Sequence, residues 1–156
     1  MKVVCVTGTP CVGKTTFARK LADHLGFRYL DVGEFIKEND LSDGYDSHLQ
    51  CDIVDEEKLT SALIGSLDAK KGIVLDSHMS HLMPPSRVDL CIVLKAPLKT
   101  LKARLEARGY PSHKVRDNLD AEIFDVCHVE AVEAGHKVIV LENPDESSLD
   151  KVSELL

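Results

Sequence analysis

The chain has 156 residues, of which 44% are hydrophobic and 29% charged, the proportions of one soluble globular domain rather than of a disordered or fibrous chain. With 19 basic and 26 acidic residues the formal net charge is −7, which excludes a broad phosphate-neutralising surface of the kind that wraps nucleic acid. An anionic ligand must therefore be held at a local site.

The first element in chain order is the β-branched run Val3 to Val6, continuous enough to read as a strand buried on both faces. Lys14 to Leu25 repeats its apolar residues at helical spacing, and a short strand near Arg28 to Asp31 is followed directly by a helix. Glu38 to Asp55 reads as a loop, Glu56 to Leu67 as a helix, Ile73 to Leu75 as a strand and Met79 to Ser86 as a second loop. Then come a strand at Leu90 to Leu94, helices at Leu98 to Arg108 and Val115 to Ala134, a strand at Val138 to Leu141 and a terminal helix from about Glu146. Strand-helix alternation of this kind predicts an α/β fold in which a five-stranded parallel sheet carries helices on both faces, in a single domain over residues 1–156.

No run approaches the ~20 apolar residues of a membrane span. The amino terminus enters strand-like sequence at once, with no room for a signal peptide. Cys5, Cys11, Cys51, Cys91 and Cys127 are odd in number, scattered and without a CxxC pair, so reduced thiols and a cytoplasmic location are expected.

Gly8-Thr9-Pro10-Cys11-Val12-Gly13-Lys14-Thr15 matches GxxxxGK[ST] between a strand and a helix, the context in which backbone N–H groups and a helix dipole cradle a phosphate chain. In such a P-loop Lys14 supplies a charge to the β- and γ-phosphates of ATP, and the Thr15 hydroxyl completes a Mg²⁺ shell. Asp76, at the end of the apolar strand Ile73 to Leu75, is placed at the same sheet edge and is a second candidate for Mg²⁺, through water. A strand-ending Asp that merely caps a turn is the plainer reading.

GTPases carry an Asn-Lys-x-Asp signature that this chain lacks, and the length suits a nucleoside monophosphate kinase. Asp43-Gly44-Tyr45-Asp46, Ile53-Val54-Asp55-Glu56, Asp76-Ser77-His78, the run Arg104 to Tyr110, Asp117-Asn118 and Glu122-Ile123-Phe124 follow the P-loop in one order. Together, from about Val3 to Val126, they resemble the adenylate kinase isoenzyme 6 family, the small atypical adenylate kinases of archaea and eukaryotic nuclei. The resemblance implies a P-loop nucleoside monophosphate kinase fold and a broad-specificity kinase (ATP + AMP = 2 ADP) with ATPase activity. It also implies assistance to late small-ribosomal-subunit maturation through ribosomal protein uS11, and a nuclear location in a eukaryote.

By the same resemblance ATP contacts Gly8, Cys11, Gly13, Lys14, Thr15 and Thr16, with Arg108 from the lid side. The monophosphate region runs over about 31–54 and the lid over about 107–117. Lys37 is the basic residue of the monophosphate region and the candidate for the acceptor's phosphate, with Gly44 and Tyr45 beside it. Cys11 replaces the family's usual glycine, and Ser77 stands where an aromatic residue is common. His78 is placed to orient an attacking water or acceptor oxygen, or is an ordinary loop histidine. Arg104 shares a helix face with Arg108, with pairing to a surface carboxylate as its plainer role. Two other readings stay open: an ATP-switched ribosome-assembly factor with weak kinase activity, and a P-loop kinase for a small metabolite.

Overall fold

A computed structural model describes residues 1–48, 50–67 and 70–156. Its central sheet has five parallel strands, β1 (Val3–Thr7), β2 (Arg28–Asp31), β5 (Ile73–Asp76), β6 (Leu90–Lys95) and β7 (Val138–Glu142), in the order β2-β5-β1-β6-β7. Alternation along β1 explains why both faces need cover. Val4 and Val6 face a layer made by α1 (Lys14–Leu25), α4 (Leu98–Ala107), α5 (Ser112–Ile123) and α7 (Glu146–Leu155), packed through Phe17, Leu101, Leu105, Val115 and Val152. Val3 and Cys5 face α2 (Val32–Glu38), α3 (Glu56–Ser66) and α6 (Val126–Glu133), packed through Ile36, Leu59, Leu63 and Ala131. Leu101 and Leu105, one turn apart on α4, are fully buried, and truncating either to Ala costs about 2–5 kcal/mol. The expected α/β architecture is the observed one.

Two expectations are corrected. The segment Glu38 to Asp55 is not a loop: β3 (Ser42–Asp46) and β4 (Cys51–Val54) pair there as an antiparallel hairpin, with Tyr45 opposite Asp52. Its strands are short and mostly exposed, so they lack the apolar alternation by which a strand is recognised. The helix expected over Val115 to Ala134 begins earlier and breaks in two. Asp125 takes a left-handed φ of 57°, and its carboxylate holds Lys95 at the end of β6, which also reaches the buried Glu122 carboxylate at 3.4 Å. That ion cluster pins the elbow between α5 and α6 to the sheet. The expected Met79 to Ser86 loop contains two 3-10 turns, Ser80–Leu82 and Pro85–Arg87. Among the described residues no helix is long and apolar enough to cross a membrane.

Because the chain returns from β5 to one side of β1 and continues to β6 on the other, β1 and β5 deliver their carboxyl ends to the point where strand order reverses. Ligands of open α/β sheets sit there.

Candidate active site

The loop between β1 and α1 owes its shape to two glycines and one strained cysteine. Gly8 has φ +146°, and a Cβ there would lie 2.5 Å from the carbonyl oxygen of Leu94; only glycine lets the chain pass β6 so closely. Gly13 caps α1 at φ 101° without any side-chain bond, which leaves the first N–H groups of the helix turned to the cleft. Cys11 adopts φ 70°, a left-handed conformation that costs a side-chain-bearing residue about 1–2 kcal/mol.

Lys14 extends along the loop, and its ammonium donates to the carbonyl oxygens of Gly8 and Thr9 at 2.8 and 2.9 Å. Burial lowers its pKa, against the pull of Asp76, which raises it. Thr15, in the first turn of α1, donates its hydroxyl hydrogen to Oδ2 of Asp76 at 2.7 Å. Asp76 itself is only 4% exposed at the end of β5. A hydroxyl and a carboxylate in contact at a phosphate loop form a hard oxygen set, which fits Mg²⁺ with waters and phosphate oxygens completing the shell.

His78, two residues beyond Asp76, opens onto the cleft. The enclosing walls, then the charges of Lys14, His81 and Lys114, lower its pKa to about 4, so the imidazole is neutral near pH 7. Thr16 and Arg108 also line the cleft. Arg108 ends α4 and donates to the Tyr110 hydroxyl at 3.4 Å. Lys37, on α2, lines the opposite wall. The structure thus brings Cys11, Gly13, Lys14, Thr15, Thr16, Lys37, Asp76, His78 and Arg108 around one cleft of about 1430 Å³.

Gly44 and Tyr45 are not among its lining residues. They lie on β3, with Tyr45 62% exposed, while the wall is made by Gln50 and by Cys51, Asp52 and Val54 at β4. Arg104 was expected to pair with a surface carboxylate; its guanidinium instead donates to the carbonyl oxygen of Cys11 at 3.2 Å, steadying the strained turn of the loop.

Sequence reasoning missed several neighbours. Lys114 lines the cleft, lies 4.0 Å from the Tyr110 ring centroid and donates to the carbonyl of Gln50 at 3.2 Å. Tyr29 donates to Asp76 at 2.8 Å. Behind the loop, His81 links the Thr7 hydroxyl to the Glu130 carboxylate, both at 2.8 Å. These bonds join residues far apart in the chain, and no local motif announces them.

Known proteins resemble this chain over most of its length. The family described as AAA domain matches residues 4–125. The adenylate kinase isoenzyme 6 homolog of Caenorhabditis elegans is 35% identical, with 97% of this chain and 87% of that protein covered. The homolog of Dictyostelium discoideum is 39% identical over 90% of this chain and 80% of its own length. The homolog named FAP7 of Saccharomyces cerevisiae is 38% identical over 97% of this chain and 77% of its own. Among solved structures, shikimate kinase from Acinetobacter baumannii superposes with a TM-score of 0.66 at 17% identity, covering 99% of this chain and 92% of that one. At that identity the likeness shows the fold alone.

Proposed function

The chain belongs to the adenylate kinase isoenzyme 6 family, and from that premise we propose that it is a broad-specificity nucleoside monophosphate kinase, transferring a phosphoryl group from ATP to AMP and similar acceptors, with ATPase activity when water replaces the acceptor. One observation carries this reading: the phosphate loop, the Thr15–Asp76 oxygen pair, neutral His78 and the cations Lys37, Arg108 and Lys114 surround a single cleft of about 1430 Å³. A pocket for one small ligand holds about 300–1,000 Å³, and this cleft is larger than that.

On this reading the triphosphate lies on the N–H groups of the loop, and Lys14 turns from the Gly8 and Thr9 carbonyls to its phosphates. Thr15 and Asp76 would hold Mg²⁺, which would supply charge neutralisation at the β- and γ-phosphates. Lys37, on the far wall, takes the acceptor's phosphate as a point charge. Arg108 and Lys114 approach from the lid side, where positive charge stabilises the equatorial oxygens more in the transition state than in the ground state. The N–H of neutral His78 orients an acceptor oxygen, and its lone pair accepts a proton when water is the nucleophile. The test is ADP formation from ATP with and without a panel of nucleoside monophosphates. AMP should yield two ADP per ATP consumed, and failure of every acceptor to raise ADP formation would remove the kinase assignment.

A second reading, an ATP-switched assembly factor acting through ribosomal protein uS11, is favoured by the exposed hairpin. There Tyr45 and Ile53 are 62% and 50% exposed, and β3 also carries Asp43 and Asp46, a segment suited to a basic protein. Attraction of that kind weakens with salt. Calorimetry with purified uS11 at low and high salt, with and without AMP, should show binding that falls as salt rises; absence of binding under all conditions leaves the kinase alone.

A further inference from the structure

We infer that Tyr29 is a positioning residue for the metal side of the site: its hydroxyl fixes the Asp76 carboxylate, and through it the Thr15 hydroxyl, in the orientation a nucleotide-bound divalent cation needs. The inference rests on the reading of the cleft as a phosphoryl-transfer site.

Three features of the fold lead to it. First, β2 and β5 run parallel with Tyr29 level with Val74 and Asp31 level with Asp76. Tyr29 therefore starts one strand over and two residues below the carboxylate, and its ring reaches up along the sheet to place its hydroxyl 2.8 Å from Oδ2. Second, that same oxygen is where Thr15 donates, at 2.7 Å. Both hydroxyls converge on Oδ2, and Oδ1 accepts no hydrogen bond from the described residues. A carboxylate held by one donor swings about that bond; a carboxylate held by two, one from α1 and one from β2, does not. A hydroxyl that spends its hydrogen on Asp76 also keeps its lone pairs for a cation.

Third, the tyrosine is itself held. Its ring packs against the core cluster beneath α1, and the Arg19 guanidinium lies 5.0 Å from the ring centroid. The phenol hydroxyl donates its hydrogen to Asp76 at 2.8 Å. Groups one step behind metal ligands commonly set metal affinity because they fix the ligands' direction.

The experiment uses the 156-residue chain and Tyr29→Phe, which keeps the ring, its packing and the Arg19 guanidinium over its face and removes the hydroxyl with its hydrogen bonds to Asp76 and Arg19. Mn²⁺ serves as the probe, followed by electron paramagnetic resonance with ADP bound. The variant should bind Mn²⁺ about tenfold more weakly, the lower end of what loss of such a partner does, while ADP affinity without metal changes less than about twofold, since Tyr29 is not among the residues that line the cleft. The Mg²⁺ concentration for half-maximal turnover should rise in proportion. Equal Mn²⁺ affinity in the two proteins overturns the role of Tyr29; a wild-type protein that binds no nucleotide overturns instead the reading of the cleft.

Discussion

Lys14 turns its ammonium back onto the carbonyl oxygen of Gly8, 2.8 Å away. A charge that binds its own loop keeps the loop in shape until a phosphate competes for it. Replacing Lys14 with Ala should therefore have two unequal effects. Turnover should fall at least about 100-fold, as when one preorganised stabiliser of developing charge is removed. Stability should fall by only about 1 kcal/mol, the scale of hydrogen bonds that solvent can partly replace. Single-turnover kinetics beside a urea titration separate the two; near-normal turnover would take the phosphates off this loop.

Gly8 and Cys11 should respond to mutation in opposite directions. Gly8→Ala puts a methyl 2.5 Å from the Leu94 carbonyl at φ +146°, a clash with backbone that cannot give way, and should destabilise by about 2 kcal/mol or more. Cys11→Gly relieves a left-handed φ of 70° and should stabilise by about 0.5–1 kcal/mol once the extra freedom of glycine in the unfolded chain is subtracted. Denaturant midpoints of the two variants against the parent decide both. A destabilised Cys11→Gly would mean that the thiol contributes packing worth more than the strain.

The contrast shows what a sequence discloses and what it withholds. The phosphate loop is legible because its shape depends on residues within eight positions of each other, and the sheet because Val3, Val4, Cys5 and Val6 must be covered on both sides. The hairpin is not legible, since Ser42, Asp43, Gly44 and Tyr45 are exposed or half-exposed, and its order comes from pairing with β4 rather than from burial. The break at Asp125 is hidden for a related reason: the helical spacing continues through it, and the cause is Lys95, 30 residues away. Arg104 and Tyr29 gained their partners Cys11 and Asp76 only on folding, across separations no motif spans.

His78 gives a prediction with a sign. Its folded pKa is about 4, lowered by enclosure and by nearby positive charge, whereas an unfolded histidine titrates near 6.5. Between those values the unfolded chain binds the extra proton, so this group makes the protein less stable as pH falls from about 6.5 toward 4 and has no effect on pH dependence above that window. In His78→Gln the slope of stability against pH should be shallower across the window, and equal slopes would place the ring in open solvent. Bound triphosphate, adding negative charge beside Lys14, should move the imidazole resonance's titration upward, which nuclear magnetic resonance of the nucleotide complex reads directly.

The walls of the cleft are tied together at their rim, and the tie should govern nucleotide exchange. At the start of α5, Nε2 of His113 donates to the carbonyl oxygen of His48 at 2.9 Å, and the two rings stack with centroids 4.5 Å apart and planes 17° from parallel. The partners are 65 residues apart, one beside the hairpin and one on the lid side, so the contact exists only while the two walls are close. Its parts are an exposed hydrogen bond and a ring pair, together worth about 0.7–1.4 kcal/mol at so exposed a rim. A device of that strength does not hold the fold together, but lost from the closed state alone it changes the rate of opening by about 3- to 10-fold. His113→Ala removes both the bond and the stack. His48→Ala removes only the stack, because the acceptor is a backbone carbonyl. Dissociation of a fluorescent ATP analogue in stopped flow should therefore accelerate most in His113→Ala and less in His48→Ala. The double variant should add little to His113→Ala alone, since residues in contact do not contribute independently. Additive rates, or equal rates in all four proteins, would mean that the rim contact is incidental to opening.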